Sequence, residues 1–528
     1  MPEHLVQNWR VRKPVACSRG GIVATQNRIA GEAGARILAA GGNAVDVAVA
    51  TGFALAAVEP WNSGLGGVGF MLVYLAKENR VVVVDFGPVS PRALDPADYP
   101  LTGGVTRDLF SWPTVQDDRN VHGPLSMAVP GHVDGLGLAL EEFGSMKLAK
   151  VMQPAIDLAE QGIAVDWYLT LKVATMAREL SRYQTTRDIW LPHGLPPVTA
   201  ADAPLARLQL AGLADTLRRL AHAGRRDFYE GRIASNIVND IKGLGGILGA
   251  DDLKNYRARI VAPLETDYRG ARIALAPGLT AGPSMLRALS ALGATRFNAG
   301  GPHADAFIAY AKVLRDAYAE RLQTMGETSD RRDPSTTTHL NVIDRHGNMV
   351  ALTQTLLSVF GSKVVLPATG ILMNNGIMWF DPRPGRPNSL APGKRPLTNM
   401  CPLIARRSDG KPWFAIGASG GRRIFPAVFQ IASFLIDHGM TLEDAFHQPR
   451  IDASGGDAVG VDPRLPETIK KALAGKYPVN ETELVVYPTN FACPSAVFND
   501  PADGQHYGIA DVMSPWSGAV AEDARLEV

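Results

Sequence analysis

The feature that most constrains the fold is a hairpin that begins where a polar loop enters a buried strand. Residues 326–334 are polar and charged, and residues 339–342 then alternate polar and apolar side chains, as a strand with one buried face does. Residues 345–348 are typical of a tight turn, and residues 349–355 of the return strand. The pattern therefore predicts a hydroxyl-rich strand entrance, around Thr337, beside an exposed loop.

Such a position suits a chain that is cut between Thr336 and Thr337. A hydroxyl is a weak nucleophile that needs a base, and a terminal Thr carries its own base, an α-amino group with a pKa of about 7.7–8.0. Before the cut, the same hydroxyl could attack the carbonyl of Thr336 and form an ester that water opens. The alternative is a Thr-rich strand entrance with no chemistry, because Thr is common in strands.

The composition excludes several classes of protein. The 528 residues suffice for two or three domains, and 46% hydrophobic with 20% charged residues is ordinary for a globular protein. The formal net charge is +1 and no basic block stands out, so we expect no nucleic-acid partner. Residues 1–14 are polar, and the uncharged apolar run 47–58 is too short for a bilayer. We therefore expect no membrane partner and a cytoplasmic protein.

The cysteines and histidines form no ligand pattern. Cys17, Cys401 and Cys493 are widely spaced, which predicts neither a disulfide framework nor a paired metal motif. His339 and His346 lie on the hairpin without a nearby cysteine or carboxylate cluster at ligand spacing. We therefore expect no metal and no cofactor, and we interpret both histidines as structural.

The first part of the chain predicts two helices and a glycine-rich loop. Residues 29–41 and 43–58 have helical spacing, and the second helix is apolar on all sides. Residues 62–69 contain the pattern G-x-G-x-x-G, which binds dinucleotides only after a strand and before a helix. Here a helix precedes and a strand over 70–75 follows, pairing with a strand over 80–86. The glycines therefore favour close backbone packing, or a loop that lines a site.

The middle of the chain is mostly helical in pattern. The predicted helices are 131–143, 148–161, 169–181, 205–223, 232–244 and 304–322. Residues 260–275 alternate as a strand does. After the hairpin, residues 381–396 contain five prolines and exclude regular structure, so they are either a connector or the wall of a pocket.

Residues 417–421 match G-x-S-x-G between a predicted strand and a predicted helix, which is the context of a serine-hydrolase elbow. In that interpretation Ser419 is the nucleophile. Its partners would come from the downstream residues His438, His447, His506, Asp457 and Asp462. Against it, no His-Gly-Gly loop lies upstream and little chain remains. The alternative is that the backbone N–H groups of Gly420 and Gly421 form an oxyanion hole at a helix start.

Together these blocks resemble the gamma-glutamyltransferase family of N-terminal-nucleophile hydrolases over most of the chain. The similar blocks, in the family's order and spacing, are residues 41–46, 65–70, 337–339, 370–375, 394–396 and 419–421. The resemblance implies an α+β fold, the αββα four-layer sandwich. It also implies one precursor cut into a large subunit, 1–336, and a small subunit, 337–528, intertwined as one domain. Two such αβ units could form a dimer.

The resemblance also implies roles for single residues. Thr337 matches the nucleophile, and its freed amine the base. Thr355 matches a second Thr that hydrogen-bonds the nucleophile, and Gly420 and Gly421 match the oxyanion donors. The family's glutamyl-binding side chains are absent. The matching positions are Gly87 for a carboxylate-binding Arg, Leu357, Gly376 and Trp379 for ammonium-binding residues, and Thr398 and Asn399 for a Ser pair. Because a buried charge without partners costs several kcal/mol, we expect a glutamyl group to bind badly.

These departures, with residues 7–14 and 379–385, most resemble the oxamate amidohydrolase branch of the family. That branch implies hydrolysis of a small amide in purine breakdown, to oxalate and ammonia for oxamate. The carboxylate of oxamate adjoins its amide carbonyl, so the anion must bind within a few ångströms of Thr337. The candidate substrate-binding residues are Arg423, Arg395, Thr398, Asn399, Asn375 and Trp379. A guanidinium suits this role because it binds a carboxylate through two parallel hydrogen bonds.

Three alternatives stay open from sequence. The first is a gamma-glutamyl hydrolase or transferase that acts on glutathione-like substrates. The second is a serine hydrolase that uses Ser419. The third is a processed protein without catalysis.

Overall fold

The computed structural model describes residues 11–105, 112–298, 300–325, 335–482 and 490–524. The helices in this part of the chain are α1 Arg28–Ala39, α2 Ala44–Val58, α3 His132–Phe143, α4 Leu148–Gln161, α5 Trp167–Leu180, α6 Gln184–Trp190, α7 Leu213–Ala223, α8 Asp227–Glu230, α9 Arg232–Gly243, α10 Ala250–Asn255, α11 Gly282–Gly293, α12 Ala304–Met325, α13 Ile424–Ile436, α14 Leu442–His447 and α15 Glu467–Ala474. None of these helices combines the length and apolarity needed to cross a membrane.

The strands described are β1 Ala16–Ser18, β2 Ile22–Thr25, β3 Val68–Leu75, β4 Arg80–Phe86, β5 Leu101–Val105, β6 Pro113–Val115, β7 Ile163–Ala164, β8 Arg207–Leu208, β9 Arg259–Val261, β10 Leu264–Tyr268, β11 Ala271–Leu275, β12 Ser335–Ile343, β13 Met349–Ser358, β14 Leu403–Arg407, β15 Pro412–Ser419, β16 Ile451–Asp452, β17 Val459–Val461, β18 Val479–Glu481, β19 Cys493–Asp500, β20 Gln505–Ala510 and β21 Gly518–Ala521.

Two seven-stranded antiparallel sheets form the centre of the fold. The first has the order β1-β20-β19-β15-β14-β11-β10 and the second the order β21-β2-β12-β13-β3-β4-β9. An apolar cluster that includes Phe70, Leu72 and Ala351 from the second sheet and Ile404 and Ala415 from the first lies between them. The two sheets are therefore stacked face to face.

Helices cover the outer face of each sheet. Helices α1 and α2 contact strands β2 and β12 of the second sheet, and α11 and α13 contact strands β10 and β15 of the first. A separate apolar cluster fills each helix–sheet interface. The predicted αββα sandwich is confirmed.

Helix α2, in the helix layer on the second sheet, is buried as its apolar sequence predicted. All fifteen of its residues are buried, as expected for a helix that is apolar on all sides. Its start is fixed by a capping box, in which Asn43 accepts from the N–H of Val45 and Asp46 while Asp46 accepts from the N–H of Asn43. Its C-cap residue is Glu59.

The predicted hairpin is confirmed as β12 and β13, at the middle of the second sheet. The strands on either side of it, β2 and β3, come from the part of the chain before Thr337. Both large sheets contain strands from before and after this residue. Strands that precede Thr337 and strands that follow it are therefore interleaved in both sheets.

Two expectations for the middle of the chain are wrong. The helix predicted over 205–223 spans only Leu213–Ala223, because Arg207 and Leu208 pair as a strand with Ala164 and Ile163. Residues 260–275 form three short strands in place of one, with Arg269 and Gly270 at a turn of positive φ between the last two.

Candidate active site

Thr337 lies at an irregularity in the β12–β13 ladder. Thr336 pairs with Leu357, but Thr338 pairs with Gln354, so the register shifts at Thr337. Bulges of this kind redirect a side chain and are frequent beside active sites. Leu357, opposite the shift, has a φ of 84°, which non-glycine residues rarely adopt.

The two Thr hydroxyls singled out from the sequence are in contact. Thr337 Oγ1 donates a hydrogen bond to Thr355 Oγ1 over 3.3 Å, and the N–H of Leu357 donates to the same oxygen over 2.8 Å. Thr337 is only 6% exposed and Thr355 is fully buried. Hydrogen bonds of this length are common in unliganded sites and shorten when substrate binds.

The glycine pair lies next to β12. Gly421 begins a 3₁₀ turn before α13, and this turn contacts β12. Gly420 and Gly421 have φ values of 131° and 57°, which L residues rarely adopt, and a Cβ on Gly420 would lie 2.9 Å from Ala492 Cα. The backbone conformation therefore requires glycine at position 420. Without a Cβ, another group can approach the backbone N–H closely.

A cavity of about 690 Å³ opens beside Thr337. Ser419 and Cys493 also line it, and so do the aromatic residues Trp61, Tyr168 and Trp516. Cavities of this size hold small-molecule ligands in many proteins. The nucleophile candidate therefore faces a space that a ligand can fill.

Two charged residues in this wall have perturbed pKa values. Burial raises the pKa of the Glu59 carboxyl to about 7, against the opposing effect of hydrogen bonds from Thr338 and Asn62 and of the charge on Lys172. Burial lowers the pKa of the Lys172 ammonium to about 8, with Glu59 opposing this shift. Sequence reasoning missed both residues. The available signals were an acidic residue directly after an apolar helix, and a lysine at helical spacing with Leu169 and Val173.

The ring of His339 is held by two side chains of the same sheet. Its ring is bonded to Thr353 Oγ1 over 2.8 Å and to Asn341 Oδ1 over 3.1 Å. Burial lowers the pKa of His339 to about 3, so the ring stays neutral. A Cβ on Gly417 would lie 2.2 Å from its Cε1, so glycine there lets the two sheets meet.

The structure does not assemble Ser419 with a histidine base within the described residues. Ser419 Oγ accepts a hydrogen bond from Gln26 Nε2 over 2.6 Å. The histidines considered as its base bond elsewhere: His438 to the hydroxyl of Tyr310, His447 to the carbonyl of Glu443 and the N–H of Lys13, and His506 to the carbonyl of Gly20. Asp462 pairs with Arg464, and Asp457 accepts from Arg315 through its carbonyl. A serine-hydrolase triad at Ser419 has no support in this geometry.

The two candidate arginines lie outside the set of residues that line the cavity. Arg395 Nη1 is 2.9 Å from Asp85 Oδ1. Arg423 Nε is 3.4 Å from Asp452 Oδ2. Each guanidinium therefore already has an acidic partner.

The remaining candidates for substrate binding are also held by the protein. Asn375 Nδ2 donates to the carbonyl of Val121, and the carbonyl of Trp379 accepts from Asn388. Thr398 Oγ1 donates to the carbonyl of Leu279 over 3.0 Å. Asn399 Oδ1 accepts from Arg321 over 3.5 Å. None of these four residues is among those that line the cavity at Thr337.

The positions that match the family's glutamyl-binding residues are filled differently here. A Cβ on Gly87 would lie 2.9 Å from the ring of Phe70 and 3.2 Å from Arg395 Nη1. Leu357 and Trp379 are buried in the apolar cluster between the sheets, together with Phe70. Apolar side chains thus lie at positions that the resemblance matches to polar or charged residues of the family.

The comparisons with known proteins agree on one family. The sequence matches the family model described as gamma-glutamyltranspeptidase over residues 30–332 and 315–517. The acylase ACY 1 proenzyme of Pseudomonas sp. (strain SE83) is 34% identical over 504 residues, covering 88% of each chain. The glutathione hydrolase proenzyme of Escherichia coli (strain K12) is 32% identical over 488 residues, covering 82% of this chain and 81% of that one.

A solved structure shares the whole fold. The crystal structure of cephalosporin acylase from Bacillus halodurans superimposes with a TM-score of 0.85 and 25% identity, covering 99% of this chain and 100% of that one. The relatives carry the names of hydrolases and acylases, and both sequence relatives are proenzymes.

Proposed function

The chain belongs to the gamma-glutamyltranspeptidase family, and from this premise we propose that it is an autoprocessed amidohydrolase whose nucleophile is Thr337. The observation that carries the proposal is the contact of the Thr337 and Thr355 hydroxyls at a bulged strand start, beside a cavity of about 690 Å³. A buried, hydrogen-bonded hydroxyl at a cavity wall is what a nucleophile requires.

Maturation uses the same hydroxyl. Thr337 Oγ attacks the carbonyl carbon of Thr336; the C–O bond forms, the C–N bond breaks, and the nitrogen receives the hydroxyl proton. Water then hydrolyses the ester, leaving a carboxylate on Thr336 and a free amine and hydroxyl on Thr337. The products are the chains 1–336 and 337–528. Thr355 positions the hydroxyl, because its oxygen accepts from both Thr337 and Leu357.

Catalysis then follows an acyl-enzyme route. The free amine of Thr337 takes the hydroxyl proton as Oγ attacks the substrate amide, since its pKa of about 7.7–8.0 leaves it partly neutral. The N–H groups of Gly420 and Gly421 stabilise the tetrahedral oxyanion. The amine proton passes to the leaving nitrogen, and water releases the acid from the ester.

The proposed substrate is a small carboxylate-bearing amide such as oxamate, which would yield oxalate and ammonia. Leu357 and Trp379, packed in apolar surroundings, favour this class over a glutamyl group, because they offer an α-ammonium group no partner. Arg395 and Arg423 are the cations proposed from sequence. If either binds the carboxylate, Asp85 or Asp452 competes with the substrate for it.

A second candidate is an acylase that releases a larger amine. The cavity volume favours it, because 690 Å³ is on the scale of drug-sized ligands and far above the needs of oxamate. The names of the Pseudomonas and Bacillus relatives agree with this class.

Gel electrophoresis and amide hydrolysis test the proposal. Purified protein should give two bands with Thr337 at the amino terminus of the smaller one, and Thr337→Ala should stay a single chain. Ammonia release from oxamate, aniline release from glutaryl anilide, and hydrolysis of γ-glutamyl-p-nitroanilide separate the substrate classes. Cleavage at another bond, or hydrolysis by Thr337→Ala at the wild-type rate, would overturn the assignment of the nucleophile.

A further inference from the structure

Lys172 is the buried cation of the cavity wall. Four Lys or Arg residues of the described chain line the cavity: Arg28, Arg36, Lys172 and Arg207. The three arginines are exposed, whereas Lys172 is only 5% exposed. A charge interacts more strongly with a ligand where water is excluded, so Lys172 is the cation best placed to bind an anion in this space.

The fold forces Lys172 into this position. The side chain of Asp166 caps α5 by accepting from the N–H of Leu169, which fixes the start of the helix. The buried residues of the helix are Leu169, Lys172, Val173 and Leu180, which lie on one helical face. Lys172 therefore projects from the apolar side of α5 and not from its solvent side.

Glu59 couples Lys172 electrostatically to the strand of the nucleophile. The charge of Lys172 acts on the carboxyl of Glu59. Glu59 accepts a hydrogen bond from the hydroxyl of Thr338, the residue that follows Thr337. Glu59, Lys172 and Thr337 also line the same cavity. Lys172 therefore lines the same cavity as the nucleophile.

Aromatic rings form the wall next to the cation. Lys172 Nζ lies 5.0 Å from the ring centroid of Tyr168. That ring stacks on Trp516 with centroids 3.7 Å apart and an interplanar angle of 21°. Trp516 is held in turn by a hydrogen bond from its Nε1 to Asp166 over 2.7 Å. Such a wall suits a planar or apolar group.

We infer that Lys172 binds the carboxylate of the substrate, and that the Tyr168–Trp516 wall receives a planar or apolar part of the same molecule. This inference rests on the proposed function, since it assigns the substrate class of the Thr337 site. It differs from recognition by Arg395 or Arg423, whose acidic partners lie away from the cavity wall. The carboxylate could stand on the acyl group or on the leaving amine, and both share the same chemistry.

Three anilides test the inference. Glutaryl anilide carries the carboxylate on the acyl group, 4-(butanoylamino)benzoate carries it on the amine, and butyranilide is neutral. Wild-type enzyme should have a lower KM for one of the two anions than for butyranilide, and the preferred anion identifies the side of the carboxylate. Lys172→Met should raise that KM about tenfold or more, the size expected for loss of one hydrogen bond to a charged group, and leave butyranilide within about twofold.

Controls separate binding from folding. Lys312→Met removes an exposed lysine that pairs with Asp316 on α12 and should change nothing. Lys172→Arg should restore part of the anion preference. If Lys172→Met fails to fold or to self-cleave, inhibition of the wild type by glutarate, against glutaramide, measures the same preference.

Failure of this inference and failure of the proposed function give different experimental results. If no wild-type amide hydrolysis depends on Thr337, the proposed function fails. If Thr337-dependent hydrolysis stands but Lys172→Met changes all three KM values equally or none of them, the inference is overturned. When glutaryl anilide is the preferred anion, a wild type that binds glutarate no better than glutaramide overturns it as well.

Discussion

The hydroxyl of Thr338 donates a hydrogen bond to the carboxyl of Glu59, although 279 positions separate the two residues in the sequence. The contact ties the strand of the nucleophile to the end of α2. The charge of Lys172 acts on the same carboxyl, so three separate segments form one electrostatic unit beside Thr337.

This unit predicts a pH dependence of anion binding. Burial raises the pKa of Glu59 to about 7, so above that pH an ionised Glu59 competes for Lys172. Burial lowers the pKa of Lys172 to about 8, so above that pH its charge is lost. Both changes weaken the attraction between Lys172 and an anionic substrate. The KM for an anionic amide should therefore rise as pH increases through this window.

The measurement is KM for the preferred anionic anilide from about pH 6 to about pH 9, with butyranilide as the neutral control. Glu59→Gln should lose the step near pH 7 and move the Lys172 step to lower pH, because Glu59 no longer opposes the lowering of that pKa. Cys493 also acts on Lys172, but burial raises the pKa of its thiol well above the usual range, so the thiol stays neutral in this window. The freed amine of Thr337, with a pKa of about 7.7–8.0, titrates with every substrate, and the butyranilide profile shows its effect separately. An unchanged profile in Glu59→Gln would refute the competition.

Thr355→Val should slow both self-cleavage and catalysis. The substitution keeps the shape but removes the oxygen that accepts from Thr337. We expect kcat to fall about 10²-fold with little change in KM, the typical size for loss of a proton-transfer partner. The half-time of chain conversion on gels gives the maturation rate. Thr355→Ser, which keeps the hydroxyl, should remain close to the wild type; equal rates for the Val variant would contradict the role.

Gly420→Ala should reduce kcat about 10²–10³-fold, the range for loss of one oxyanion donor. A Cβ would meet Ala492 Cα at 2.9 Å and the φ of 131° is unfavourable for alanine, so the peptide must rotate. Gly439→Ala is the matched control, since Gly439 also has a positive φ but nothing lies within 4 Å of its Cβ position. If both variants lose kcat equally, backbone strain and not donor geometry is responsible.

Ser419→Ala should keep self-cleavage, and kcat should stay within a few-fold of the wild type. The hydroxyl accepts from Gln26 Nε2 in a buried position, so its loss should cost about 1 kcal/mol of unfolding free energy. Thermal melting measures that cost. Abolished hydrolysis with intact maturation would instead make Ser419 the nucleophile.

Much of the fold was predictable because its signals are local. The hairpin of β12 and β13 followed from alternation on both sides of a turn, and α2 from its wholly apolar composition. The helix predicted from residue 205 was wrong at its start, because Leu208 pairs with Ile163, a contact made through the tertiary structure. Local periodicity does not contain that pairing.

The site was predictable only in part, for a similar reason. The contact of Thr337 with Thr355 lies within one hairpin, and the resemblance pointed to it. In contrast, Arg395 pairs with Asp85 across 310 positions, and nothing local to Arg395 indicates that partner. In the sequence, Lys172 is an ordinary lysine of a predicted helix. Its burial and the effect of Glu59 on it follow only from the packing of α5 on the core.

The interleaving of strands from both sides of Thr337 has a consequence for refolding. While the chain is intact, unfolding and refolding are unimolecular. After a cut at Thr337, the sheets can re-form only when two separate polypeptides meet, and loss of the covalent link removes the effective concentration that it supplied. Recovery of the cut protein from denaturant should therefore depend on protein concentration, whereas recovery of Thr337→Ala should not. Cleavage would thereby turn a reversible fold into one protected mainly by the slowness of its unfolding.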